Sequence, residues 1–207
     1  RWYLFITLTF VLIIGISLYL STPYDRETSF RYAIFHITST ITTTGFTITD
    51  YTMWPPFIWM IIGLCMYFGA CAGSTSGGMK SIRLVILIKS MRNEFNHILH
   101  PNAVLPVRVN GKVVSTSTKQ SVLTFSIFFL LLVFIGWFFY LAIGIDIADA
   151  YGTSLSCLAN IGIKIGSNGC NIPWADMPAV GKWFSAFLML VGRLEIFAVL
   201  LLFNPSF

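Results

Sequence analysis

Trp2–Leu20 is a run of about nineteen residues with almost no polar side chain. As a helix it is long enough to cross the ~30 Å hydrocarbon core of a bilayer. Ser121–Ile145 is a second such run, and Pro178 or Ala179 through Phe203 is another. The Pro55-Pro56 pair suits a helix start, and Phe57–Ala72 after it is apolar until Gly73–Gly78 (GSTSGG) breaks it. Ser81–Leu99 then continues, apolar at first and later amphipathic and basic. In hydrocarbon every backbone polar group needs an internal partner, which favours helices. The predicted fold is therefore an all-α integral membrane protein with four spans, one of them a broken helix. Composition agrees: 56% of the residues are hydrophobic and 10% are charged, against about 25% charged in soluble domains. The opening run is too long, and lacks an A-x-A-like site, to read as a secretory signal.

Charge orients the chain. Between Met79 and Lys119 stand seven basic residues (Lys80, Arg83, Lys89, Arg92, Arg108, Lys112, Lys119) and one acid, Glu94. Asp25, Glu27, Asp50, Asp146, Asp149 and Asp176 are expected in the short connections elsewhere. Cytoplasmic loops are rich in Lys and Arg, so 79–119 is expected inside and the acid-bearing connections outside. The basic residues lie between apolar spans without interleaved aromatic stackers, which argues against a nucleic-acid partner.

Two apolar segments are too short to span: Ser29–Ile41 and Ala148–Ala159. Each leads into a Gly-bearing stretch, Thr42–Tyr51 (TTTGFTITDY) and Asn160–Asn171 (NIGIKIGSNGCN). The order is long span, short helix, Gly-bearing loop, long span, and it occurs twice. At an offset of 117 residues Ala33 meets Ala150, Ser39 meets Ser156 and Gly45 meets Gly162. This pattern predicts a parallel internal repeat, with both loops on the outer side.

Irregular backbone at membrane depth survives only in protein or beside water. A short re-entrant helix points the negative end of its dipole into the membrane, where a cation would be stabilised. Extended chain after it can aim carbonyl oxygens at a pore axis, replacing the hydration shell of K⁺. Glycine helps by permitting positive φ. The other reading of Thr43-Thr44-Gly45-Phe46 is an ordinary hydroxyl-rich turn. Its recurrence as Ala159-Asn160-Ile161-Gly162 favours the pore.

Gly73-Ser74-Thr75-Ser76-Gly77-Gly78-Met79-Lys80 superficially suggests a phosphate loop, but Met79 separates Gly78 from Lys80 and a membrane span precedes it, which argues against nucleotide binding. It reads either as a flexible gate on the cytoplasmic side of the filter or as a plain helix kink. Arg193 and Glu195 sit in the last apolar span, where charges tend to face a cavity or a partner. Arg193 either holds the gate segment or pairs structurally with neighbouring helices. His36, His97 and His100 lack metal or catalytic spacing, and His36 reads as a packing residue. Cys65, Cys71 and Cys157 read as packing residues too; Cys170 is expected in an outer loop. No GxSxG or HExxH occurs, so an intramembrane enzyme is disfavoured.

TTTGFT at 42–47, GACAGSTSGGMKSIR at 69–83, VGRLEIF at 191–197 and the terminal NPSF resemble the Trk/Ktr/HKT superfamily of potassium transporters, in particular its TrkH/TrkG-type membrane subunits. The resemblance covers essentially the whole chain. It implies the third and fourth of four M1–P–M2 repeats around one pore: 1–99, a cytoplasmic linker 100–118, and 119–207. It implies K⁺ selectivity-filter roles for Thr43, Thr44, Gly45 and Phe46, and for Asn160, Ile161, Gly162 and Ile163. Gly73, Ser74, Thr75, Ser76, Gly77, Gly78 and Lys80 would form the gating loop, with Arg193 beside it. K⁺ would be the transported ion, held by filter carbonyls, with no covalent cofactor. The implied partners are the missing first half of the pore, a second copy in a homodimer, a cytoplasmic nucleotide-binding regulatory subunit and membrane lipid. The expected location is the inner membrane. The family often reads NxGxGxG after the fourth pore helix, whereas this chain has NIGIKIG with Lys164 at the second glycine place. An ammonium at the pore mouth would repel entering cations; turned outward it would do little. Two repeats cannot close a four-fold ring, so either the chain is a fragment or another half supplies the rest. The alternative function is a non-conducting structural or regulatory half-subunit.

Overall fold

The computed structural model describes residues 2–51, 54–69, 77–100, 106–109, 111–163 and 174–194. Seven helices occur among them: α1 (Trp2–Ser21), α2 (Arg26–Ile41), α3 (Pro56–Tyr67), α4 (Ser81–Leu99), α5 (Thr116–Ala142), α6 (Ile147–Ala159) and α7 (Ala179–Arg193). Two short strand pairs accompany them, β1 (Phe68–Gly69) with β2 (Met79–Lys80) and β3 (Arg108–Val109) with β4 (Lys112–Val113).

α1, with 20 residues, and α5, with 27, are long and apolar enough to cross a membrane; α3 is apolar but shorter. Their outward faces are apolar. Leu4, Phe5, Leu8, Leu12, Ile16 and Leu20 are exposed on α1, and Leu123, Ile127, Phe134 and Phe138 on α5. Such continuous apolar faces match lipid tails. Only a narrow stripe of α1 is buried (Val11, Ile14, Gly15, Leu18), and it lies along α2.

α6 is the interior element. Ten of its thirteen residues are buried, because α5, α7 and α3 all pack on it. α2 has α1 and α3 as neighbours, and leaves Ile34 and Phe35 exposed. Two acids expected in connections are helical instead. Glu27 and Asp149 lie in the first turns of α2 and α6, and Asp149 is buried. An acidic side chain is favoured there by the positive end of the helix dipole, and a connection-by-composition reading cannot see that.

The apolar segment expected to run through Ala72 is helical over a shorter stretch. Helix α3 ends at Tyr67, short of Ala72, and β1 pairs in parallel with β2, Phe68 opposite Met79 and Gly69 opposite Lys80. The pair holds the end of α3 beside the start of α4. A side chain at Gly69 would stand 2.9 Å from the Gly77 carbonyl oxygen, so glycine permits this approach. Ser126 Oγ of α5 lies 3.3 Å from Met79 Sδ, and the Arg83 guanidinium sits 3.9 Å above the Phe125 ring. Both contacts anchor this neck to α5. Gly73, Ser74, Thr75 and Ser76 lie outside the described residues.

The stretch expected as polar loop contains the antiparallel β3–β4 hairpin around Gly111 at φ +80°. Lys89 Nζ ties it to α4 by donating to the Arg108 carbonyl at 2.8 Å. Helix α5 also begins earlier than expected, because Ser115 Oγ accepts from the Thr118 N–H at 3.2 Å and caps it.

Candidate functional site

Helices α2 and α6 end in the same backbone turn. At the first, the Thr43 N–H donates to the Thr40 carbonyl at 3.1 Å and the Thr44 N–H to the Ser39 carbonyl at 2.9 Å. At the second, the Asn160 N–H donates to the Cys157 carbonyl at 3.2 Å and the Ile161 N–H to the Ser156 carbonyl at 3.1 Å. These paired bonds define a Schellman C-cap. The left-handed residues are Thr43 (φ 55°) and Asn160 (φ 58°), and the next positive φ values fall at Gly45 (78°) and Gly162 (87°). Every one of these pairs is 117 residues apart. The two caps thus share one backbone geometry at the offset that the identities give.

Asparagine tolerates the left-handed region, but a β-branched residue does so rarely. Thr43 therefore carries local strain, on the order of 1–2 kcal/mol. Strain of this kind persists only where the surroundings over-determine it. Here the surroundings are hydroxyl-rich. Thr42 Oγ1 donates to the Thr38 carbonyl at 2.7 Å and lies 2.8 Å from Thr44 Oγ1. Ser39 Oγ donates to the Phe46 carbonyl at 2.7 Å. At the matching position Ser156 Oγ accepts from the Gly162 N–H at 3.1 Å. Each short helix thus braces its own loop with one buried serine.

The two loops meet. A Cβ built on Gly45 would overlap the carbonyl oxygen of Ile161. Ile161 and Ile163 bury their side chains, while Gly162 between them is exposed. On the other loop Thr44 and Phe46 are exposed, and Phe46 is 69% accessible. The C-terminal ends of α2 and α6, which carry the negative partial charge of their helix dipoles, therefore bracket one region. All eight residues expected as filter are described and fall in these two loops. No cluster of three His, Cys, Asp or Glu is placed to hold a metal ion among the described residues. The oxygen atoms at these loops are backbone carbonyls, threonine hydroxyls and the Asn160 carboxamide oxygen.

Of the residues expected to gate, Gly77, Gly78 and Lys80 are described. Gly77 lies against α6's end, where a Cβ would stand 2.7 Å from the Ala159 carbonyl oxygen. Gly78 takes φ +76°, and Lys80 belongs to β2. Arg193 is the last residue of α7 and is exposed there, a cation suited to the negative end of that helix. Glu195, Lys164, Cys71 and Cys170 lie outside the described residues, as does the 73–76 segment that Arg193 is expected to hold. Cys65 and Cys157 are buried. His36 is buried in an aromatic cluster, with ring centroids 4.8 Å from Trp54 and 5.8 Å from Tyr51, consistent with packing.

Sequence reasoning missed several participants. Ser39 and Ser156 were matched by the repeat offset, but nothing marked them as braces. Tyr67 and Tyr151, whose hydroxyls lie 2.7 Å apart, join α3 to α6 across 84 residues, and no local pattern reports such a pair. Gly192 was read only as part of a motif, yet its missing side chain leaves room for the Leu158 carbonyl.

Comparison with known proteins adds an independent finding. The family model TrkH, described as a cation transport protein, matches residues 1–206. The Trk system potassium uptake protein TrkH of Halomonas elongata is 34% identical over 197 residues, covering 95% of this chain and 40% of the relative. TrkG of Escherichia coli K12, also a Trk system potassium uptake protein, is 32% identical over 209 residues, covering 100% of this chain and 42% of the relative. The crystal structure of the potassium transporter TrkH from Vibrio parahaemolyticus superposes with a TM-score of 0.92 at 31% identity, over 100% of this chain and 44% of that one. The chain spans less than half the length of the relatives it matches.

Proposed function

Since this chain belongs to the TrkH family of cation transport proteins, whose members are transporters and not enzymes, we propose that it supplies two of the four sectors of a potassium-conducting pore. Thr43, Thr44, Gly45 and Phe46 line one sector of the filter; Asn160, Ile161, Gly162 and Ile163 line the next. Dehydrated K⁺ is held there by backbone oxygens, helped by the negative ends of α2 and α6. The observation that carries this reading is the duplicated C-cap, two identical turns 117 residues apart that meet at Gly45 and Ile161. A pore built from repeats needs the same turn in each sector, and a set of unrelated surface loops does not.

On this reading α1, α5 and α7 are spans, α3 and α4 form the broken one, and α2 and α6 are the re-entrant pore helices. The two loops face outward and 79–119 faces the cytoplasm. The segment 73–80 gates the path below the filter, with Arg193 holding it. The exposed face of α2 and Phe46 await a neighbour, which the first half of the pore would supply. A second copy, a cytoplasmic nucleotide-binding subunit and membrane lipid complete the assembly. The location is the inner membrane.

The test is potassium flux into liposomes, measured for this chain alone and for the whole transporter that carries it. Flux that appears only with all four sectors, and that prefers K⁺ over Na⁺, supports the proposal. A whole transporter that is intact by size and inserted, yet moves no K⁺, overturns it in favour of a non-conducting half-subunit.

A further inference from the structure

The turn that ends α6 is bound to α7 through one side chain. Asn160 Nδ2 donates to the Met189 carbonyl of α7 at 3.1 Å and lies 3.4 Å from the Leu158 carbonyl. Two glycines from separate parts of the chain flank that amide. A Cβ on Gly77, at the neck of the broken span, and a Cβ on Gly192, in α7, would each stand 2.8 Å from Nδ2. A methyl at Gly192 would also overlap the Leu158 carbonyl, and one at Gly77 would stand 2.9 Å from Asn160 Cβ. The carboxamide therefore fills a slot that exists because both neighbours lack side chains. Its backbone, at φ 58°, is the left-handed residue of the cap.

We propose that the Asn160 carboxamide is a positioning residue that fixes the second filter loop against α7, and that discrimination between K⁺ and Na⁺ depends on it. The inference rests on the pore reading above and adds a side-chain role to it. Among the described residues, 161–163 have no strand partner. They are braced by the Ser156 bonds to the Ile161 and Gly162 N–H groups, by the buried Ile161 and Ile163 side chains and by Asn160. A ring of carbonyls separates ions of similar charge by position, so a loop freed from α7 would still attract cations while distinguishing them less. Asparagine meets both demands at once: it tolerates the left-handed backbone and reaches a carbonyl on the next helix. Thr43, its counterpart in the first loop, meets only the backbone demand, and with strain.

The test uses the whole transporter in liposomes, with K⁺ and Na⁺ flux measured separately. In detergent, melting is recorded in KCl and in NaCl. Asn160→Gly keeps the backbone turn and deletes the amide. Asn160→Asp keeps the shape and turns the donor into an acceptor facing two carbonyls. Gly192→Ala leaves Asn160 in place and fills its slot. The expected result is a fall of about tenfold or more in the K⁺ to Na⁺ flux ratio for all three, equivalent to ~1.4 kcal/mol of discrimination. The extra thermal stability in KCl over NaCl shrinks in step. Should a variant fail to reconstitute, the KCl–NaCl melting difference decides alone. A flux ratio or melting difference within twofold of wild type in Asn160→Gly and Asn160→Asp overturns the inference while leaving the pore reading intact. A wild type that shows no K⁺ preference in either measurement overturns the pore reading instead.

Discussion

The carbonyl oxygen of Ile161 occupies the space that a side chain at Gly45 would need. Gly45 also takes φ +78°, a region where an L side chain costs about 1–2 kcal/mol. Gly45→Ala thus carries two penalties, strain and overlap with a backbone atom that has no rotamer to escape into. Gly162 shares the positive φ, but a Cβ there meets nothing within 4 Å among the described residues. Gly45→Ala is expected to reduce K⁺ flux of the whole transporter more than tenfold. Gly162→Ala is expected to lose only the backbone share, about 1 kcal/mol or roughly fivefold. Equal losses from the two would argue that the loops do not meet in the assembled protein.

The two serine braces should cost about the same. Ser156 Oγ accepts from the Gly162 N–H, and Ser39 Oγ donates to the Phe46 carbonyl. Gly162 and Phe46 are both exposed, so the group left behind in either variant can turn to water. Ser156→Ala and Ser39→Ala are therefore each expected to cost about 0.5–1.5 kcal/mol. Melting of the detergent-solubilised protein checks this, and a drop beyond about 3 kcal/mol for either would show that the serine does more than brace its loop.

How much of this was legible beforehand follows from the range of each signal. Helix α4 was bounded at Ser81 and Leu99 because charge and hydropathy both change there. Helix α6 was placed to within a residue at its start by Pro-free apolar sequence ending at Asn160. The two loops were found because a glycine after a short apolar run is a local pattern, and the offset of 117 multiplied it. By contrast, the stop of α3 at Tyr67 depends on the approach of Gly69 to Gly77, a contact that apolar composition through Ala72 conceals. The β3–β4 hairpin has strands of two residues, too short for any alternation, although the Asn110-Gly111 dipeptide is a known hairpin signal. The Asn160 slot was invisible because it needs three segments at once.

Tyr67 closes α3 just before the strand pair, and its hydroxyl lies 2.7 Å from that of Tyr151 on α6. Tyr67 also packs edge-on to Phe129, and Tyr151 edge-on to Trp137, both on α5. Tyr67→Phe and Tyr151→Phe each remove one hydroxyl while keeping these ring contacts. In a double-mutant cycle the pair should show a coupling of about 0.5–1.5 kcal/mol, since the second loss has no bond left to break. Additive melting shifts would mean that each hydroxyl has another partner and that α3 is not tied to α6 in this way.

Helices α5 and α6 come together through a small-residue contact that can be tested in the same protein. A Cβ on Gly136 would overlap Ser154 Oγ, which donates to the Val133 carbonyl at 2.8 Å. Without a hydrophobic drive between helices in lipid, such close approach and the bonds it permits carry the association. Gly136→Ala should therefore destabilise by about 1–3 kcal/mol through overpacking. Ser154→Ala alone should cost about 0.6 kcal/mol, the average for a hydrogen bond between membrane helices. The double variant removes the oxygen that the new methyl strikes, although Ser154 Cβ at 3.2 Å and Leu188 Cδ1 at 3.1 Å remain close. Its destabilisation should accordingly fall below the sum of the singles without returning to wild type. Melting of all three variants reads this directly, and a simple sum would show that the Gly136–Ser154 approach does not set the spacing of α5 and α6.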